Sequence, residues 1–264
     1  MDINKGIIFI FFILMILSCH NQSENNNTPP DKEKQTQQLI AQYPDSLILR
    51  ENLIEYYREN DDYDKALSAT DEMIKKDSLD ARLWDIKATL YFENEDTLNA
   101  ITSFKRAIAL NPDPQYIMSL GSLYAQTKNP LAIAMADSLV RDPKSDAAKE
   151  SFFIKGLYYS SVGNNNKAIN YLDSSLAVDY TFTFAYREKA ICLYNMGKYN
   201  DALAVLAKAI EVVNTYDEAY YWMGRCNEKL GNKDQAIKDY QTALQIDNND
   251  YPEAKDALSK LAGS

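Results

Sequence analysis

From Lys32 onward, apolar and polar positions follow a helical period in segments of helix length, separated by short polar turns. The segments are themselves periodic. The stretch 217–250 reads DEAYYWMGRCNEKLGNKDQAIKDYQTALQIDNND, two helix-length segments around a turn at Gly231-Asn232. Its residues recur at steps of 34: Gly231 answers Gly197 and Gly163, Ala236 answers Ala202 and Ala168, and Tyr240 answers Leu206 and Leu172. A fixed period of this length marks stacked helix–turn–helix units, none of which can bury its apolar face alone.

The pattern phases six units, 47–80, 81–114, 115–148, 149–182, 183–216 and 217–250. Counted from its first residue, each unit has a recurring set of places. Trp84 takes the fourth, with Phe152, Tyr186 and Tyr220 in later units; Gly156 and Gly224 take the eighth, with Ala88 and Ala190 as substitutes. Tyr57, Tyr91 and Tyr159 take the eleventh, and alanines stand at the twentieth: Ala66, Ala100, Ala134, Ala168, Ala202 and Ala236. Pro112 stands at the thirty-second, where the missing N–H ends a helix. This set resembles the tetratricopeptide repeat. The resemblance implies an all-α fold, a right-handed α-solenoid of stacked helix–turn–helix repeats, with ligands held in a hollow lined by the first helices.

The physical reason for the small residues is that helix axes come close only where a side chain is Gly or Ala, with aromatic rings filling the space beside the contact. Unit 115–148 departs from the pattern. Gly121 and Tyr124 come one place early, Pro130 stands in for the turn glycine, and Pro143 leads into a longer connection over 142–146. Residues 31–46 read as an N-terminal capping helix and 251–264 as a C-terminal one, beginning at Pro252.

Places 4, 8 and 11 form the packing stripe of a first helix; places 5, 9 and 12, each one residue on, lie about 100° around it and are expected to face the hollow. In the early units these are Glu51, Glu55, Asp85, Thr89 and Phe92; in the later ones Phe153, Leu157 and Ser160, then Arg187, Ile191 and Tyr194, then Tyr221, Arg225 and Glu228. The expected hollow is therefore acidic at one end and aromatic, with two arginines, at the other. Aromatic and Arg side chains dominate binding energy at interfaces. The expected site is Phe153, Leu157, Arg187, Ile191, Tyr194, Tyr221 and Arg225, taking a protein or peptide whose carboxylates pair with the arginines. The alternative is that these rings only pack between neighbouring first helices while the arginines pair with Glu188 or Glu228. The Lys/Asn clamp of chaperone-binding family members has Glu51/Glu55 and Asp85/Thr89 at the equivalent places, which argues against that ligand class.

Ahead of the repeats, Lys5 precedes an apolar run, Ile7–Leu17, too short to span a bilayer and of the length of a signal-peptide core. It ends Ile16-Leu17-Ser18-Cys19, which resembles a bacterial lipobox. That resemblance implies a signal peptide over 1–18 and lipidation of Cys19, attaching the protein to a membrane. Residues 19–30, polar and Asn-rich with two prolines at the end, then read as a flexible tether. The expected address is the bacterial cell envelope, at the outer membrane facing the periplasm.

Charge and chemistry narrow the function. The net charge of −10 argues against nucleic acid, which needs a basic stripe. The one histidine, His20, lies in the tether, and no Gly-rich phosphate loop or calcium-loop spacing occurs, so neither catalysis, nor a metal, nor a cofactor is expected. Cys192 and Cys226 hold one place in adjacent units, roughly a helix diameter (~10 Å) apart, beyond disulfide reach, and read as small buried hydrophobes. Asp45-Ser46-Leu47, Asp77-Ser78-Leu79, Asp96-Thr97-Leu98 and Asp137-Ser138-Leu139 resemble a bacterial glycan-attachment tripeptide; Asp and Ser beside turns also serve as helix caps. The sequence thus points to a lipid-anchored scaffold or adaptor in envelope complex assembly, or alternatively to an envelope adaptor for a glycan or small ligand.

Overall fold

The computed structural model describes residues 32–141, 146–248 and 251–262. The signal segment, the tether, Cys19 and most of the 142–146 connection lie outside them. The described residues form fourteen helices and no strand. They are α1 (Lys32–Gln42), α2 (Leu47–Glu59), α3 (Tyr63–Lys76), α4 (Ala81–Glu93), α5 (Thr97–Leu110), α6 (Pro114–Gln126), α7 (Leu131–Leu139), α8 (Ala148–Ser161), α9 (Asn165–Val178), α10 (Thr183–Asn195), α11 (Tyr199–Val212), α12 (Asp217–Lys229), α13 (Lys233–Ile246) and α14 (Pro252–Ala262). None is long and apolar enough to cross a membrane. Two compact bodies result, one up to Pro112 with α1–α5 and one from Asp113 with α6–α14.

Within each body a helix packs on the next, and in the second body the first helices α6, α8, α10 and α12 also pack side by side. The turn between first and second helices is the same in five of the six units. Its fifteenth-place residue has a positive φ: Asp61 (56°), Glu95 (61°), Gly163 (82°), Gly197 (75°) and Gly231 (79°). The next backbone N–H reaches back to the eleventh-place carbonyl, as Asp62 to Tyr57 (2.9 Å) and Asn164 to Tyr159 (2.8 Å). Asp62, Asp96 and Asn164 then cap the second helix through their side chains.

Close packing follows the small residues. Ala66, Ala100, Ala168, Ala202 and Ala236 are fully buried, and four places on Thr70, Phe104, Leu172, Leu206 and Tyr240 are nearly so. A Cβ at Gly156 would fall 2.7 Å from Leu172 Cγ, so no other residue fits without displacing that side chain. Cys192 and Cys226 are free and buried, as expected; burial pushes their thiols up to about 11 and about 12, which keeps them protonated and inert.

Unit 115–148 corrects two expectations. The left-handed turn residue is Lys128 (φ 58°), one place early like Gly121 and Tyr124, and Pro130 lies beyond the turn. Ala132 and Ala136 are buried, while Ala134 is exposed. Pro130 has no N–H to donate, and Ala132 bonds back three residues to Asn129 instead of four, so α7 starts tighter and its register shifts.

The Asp-Ser/Thr-Leu tripeptides divide. Ser46 caps α2, Asp96 caps α5 and the Asp77 carboxylate accepts from the Leu79 N–H, with Leu47, Leu79 and Leu98 exposed. Ser138 instead lies within α7, donating to the Met135 carbonyl, beside a buried Leu139.

Candidate functional site

The first helices α8, α10 and α12 form a row that carries the expected site residues. Each places its fifth residue beside the start of the next unit, and a side chain from there covers it. Phe153 packs edge-on against Phe182 (5.0 Å between ring centroids) and near Phe184 (6.5 Å). Arg187 meets Glu218, its Nη1 lying 2.6 and 2.5 Å from the two carboxylate oxygens, and its Nε donates to Glu188 (3.0 Å). Tyr221 lies under Tyr251, 5.1 Å away. Phe153, Leu157, Arg187 and Tyr221 are consequently buried, while Ile191, Tyr194 and Arg225 are half-buried.

Arg187 therefore has its carboxylates within the chain. Burial alone would lower the pKa of its guanidinium, but Tyr216, Glu218 and Glu188 around it outweigh that and the net shift is upward. Burial conversely raises Glu188, against the pull of Arg187. The pairing with Glu188 matches the alternative weighed from sequence; Glu218, the nearer partner, stands at the second place of the following unit and is outside the 5/9/12 selection.

Arg225 differs. Its Nη1 donates to the Tyr221 hydroxyl (3.0 Å) and its Nη2 to the Tyr194 hydroxyl (3.4 Å). The guanidinium also stands over three rings, Trp222 at 5.2 Å, Tyr194 at 5.3 Å and Tyr221 at 5.8 Å. Among the described residues no carboxylate is within ion-pair distance of it. Glu228, one turn on, is occupied by the Tyr240 hydroxyl at 2.7 Å. The cradle thus brings together three of the expected residues, Tyr194, Tyr221 and Arg225, and adds Trp222. Helical phase alone does not select Trp222, because the sixth place faces neither the stripe nor the hollow.

In the first body the expected acidic end is neutralised. Glu51 pairs with Arg82 and Glu55 with Arg58, which also holds Glu93 at 2.7 Å; Asp85 is buried. Among the described residues no group of three or more His, Cys, Asp or Glu converges in the manner of a metal site.

A tetratricopeptide repeat family model matches residues 193–261, and another matches 81–114. With the helix pairs on the same period, they make this chain a tetratricopeptide repeat protein, a repeat scaffold suited to binding proteins. A DnaJ homolog subfamily C member 7 homolog of Dictyostelium discoideum is 23% identical over 199 residues, 69% of this chain and 37% of that protein. A TPR repeat-containing protein of Methanocaldococcus jannaschii is 34% identical over 98 residues, 37% of this chain and 30% of that protein. The matches thus span only about a third of the length of these curated relatives. Among solved structures, a tetratricopeptide repeat protein from Parabacteroides merdae superposes with a TM-score of 0.69 at 18% identity, covering 88% of this chain and 91% of that one. PilW, a widely conserved type IV pilus biogenesis factor, gives 0.57 at 22% identity over 80% and 97%. These are likenesses of fold.

Proposed function

We propose that this protein is a lipid-anchored adaptor of the bacterial cell envelope that grips a protein or peptide partner on the first-helix face of α8, α10 and α12, in envelope complex assembly. One observation carries the binding half: Arg225 is a half-buried cation, held in place by Tyr194, Tyr221 and Trp222, with no carboxylate of its own among the described residues. Arg58, Arg82 and Arg187 each have one. A preorganised guanidinium set among aromatic rings in an acidic chain is the chemistry that captures a carboxylate flanked by apolar groups. Phe153, Leu157 and Ile191 then serve as the floor beside it. The anchoring half rests on the Ile7–Cys19 segment, with Cys19 as the lipidated residue and the outer membrane, periplasmic side, as the address.

Photo-cross-linking from Tyr194 in intact cells, followed by mass spectrometry, tests the first half. A discrete partner captured by the wild type and lost in Arg225→Glu is expected; capture unchanged by that variant would overturn the role of Arg225. For the anchor, labelling with radioactive palmitate is expected in the wild type and absent in Cys19→Ala.

A further inference from the structure

A second concave feature lies where α10 and α11 meet the turn that follows α9. Tyr180, Thr181, Tyr186, Lys208, Glu211 and Val212 line an open surface cleft of about 410 Å³. None of these residues belongs to the Arg225 cradle.

Its polar groups are unspent. The Tyr180 and Tyr186 hydroxyls, the Lys208 ammonium and the Glu211 carboxylate make no hydrogen bond or ion pair with any described residue. Tyr180 is 71% exposed, and its ring stacks on no other ring among the described residues. Thr181 donates its hydroxyl to Asp179 Oδ1 (2.6 Å), which fixes the rim of the cleft beside Tyr180.

The cleft is built on a repeated frame from residues that do not repeat. One unit later, Tyr180, Lys208 and Glu211 correspond to Asn214, Thr242 and Gln245; one unit earlier, to Asp146, Ser174 and Ala177. Only Tyr186 keeps its aromatic character, as Tyr220 and Phe152, because it fills the fourth, packing place. Packing therefore explains Tyr186 and does not require Tyr180, Lys208 or Glu211, whose side chains are exposed.

Ligand chemistry follows from the lining. An exposed aromatic face takes a flat apolar C–H surface. A cation and an anion one helical turn apart on α11 disfavour either net charge, since Glu211 repels a phosphate and Lys208 a cation. Acceptors and donors together fit a ligand rich in hydroxyls, each of which does both. An acyl chain would leave all four polar groups unsatisfied. We infer that this cleft is a saccharide subsite, taking one or two sugar rings stacked on Tyr180 and hydrogen-bonded to Lys208 and Glu211. It is independent of the peptide face and of Arg225.

Saturation-transfer NMR on the full-length chain in detergent micelles tests this, with maltose, cellobiose and di-N-acetylchitobiose as probes. Transfer to at least one of the three is expected, weakened tenfold or more by Tyr180→Ala and by Glu211→Gln, and unchanged by Arg225→Glu. Tyr180 is exposed, so its replacement leaves the fold intact. No transfer from any probe at millimolar concentration overturns the inference. So does transfer that survives Tyr180→Ala, or a protein partner whose capture requires Tyr180 when no sugar binds.

Discussion

Gly224 lies directly beneath the ring of Tyr240: a Cβ built on it would stand 2.6 Å from Cε1 and 2.7 Å from Cδ1. The largest fully buried side chain among the described residues thus owes its place to a missing methyl group on the neighbouring helix. Gly224→Ala is expected to cost about 1–3 kcal/mol by overpacking, read as a lower urea midpoint. Ala190 carries a methyl at the same place and packs in one cluster with Leu206, which stands at the place corresponding to Tyr240. The double variant Gly224→Ala, Tyr240→Leu should therefore be less destabilised than the two single changes added together. Strict additivity would show that the ring and the glycine are not coupled.

Lys128 holds the left-handed turn that Gly163, Gly197 and Gly231 hold in later units, at φ 58°. Its side chain is exposed and makes no hydrogen bond or ion pair with any described residue. A Cβ in that conformation costs roughly 1–2 kcal/mol, partly offset by the greater backbone freedom of glycine in the unfolded chain. Lys128→Gly is expected to stabilise by about 1 kcal/mol, and Gly197→Ala to destabilise by a similar amount. Equal midpoints for Lys128→Gly and the wild type would contradict this.

The contact between Arg187 and Glu218 should matter far more than the chemically similar one between Arg82 and Glu51. The side chains of the first pair are 9% and 16% exposed, those of the second 34% and 28%. Glu218→Gln leaves a buried guanidinium with only Glu188 as counter-charge and is expected to cost about 2–3 kcal/mol. Glu51→Gln, with water at hand to solvate Arg82, is expected to cost under about 1 kcal/mol. Paired urea titrations of the two variants decide the ranking.

Residues that act within one unit are legible in the sequence; residues that act between units are less so. The 34-residue step locates the turns, the buried alanines and the helix pairs because each is fixed by local packing. Arg187 looks solvent-facing on an isolated helical wheel, and is not, because Glu218 arrives from the next unit. The same holds for Tyr221, covered by Tyr251. A comparison of each fifth place with the second place of the following unit would have exposed the Arg187–Glu218 pairing. Arg225 stands apart because nothing at the described end of α12 supplies it a carboxylate. The shift in α7 has a different origin, a proline whose missing N–H changes register in a way that spacing alone does not reveal.

Asp179 ties its own helix end to α8 through Lys149, whose Nζ lies 2.8 Å from Oδ2. The Lys149 hydrogen bond, with further bonds from the Thr181 hydroxyl and N–H, holds the Asp179 carboxyl down at about 2. Because the folded-state value is depressed, the interaction stabilises the fold above the unfolded carboxylate range. That contribution is lost as the pH falls from about 4 toward 2. In Lys149→Met the largest cause is removed, so the Asp179 inflection in carboxyl-carbon NMR should move upward while the Thr181 bonds keep it below an unperturbed aspartate. The stability gap between wild type and variant should accordingly be widest near neutral pH and narrow on acidification. A residue of the gap should persist, since Lys149 also stands 5.7 Å from the Phe182 ring, a contact that does not titrate with Asp179. A gap that stays constant from pH 6 to pH 3 would show that the ion pair contributes nothing and that Lys149 acts through Phe182 alone.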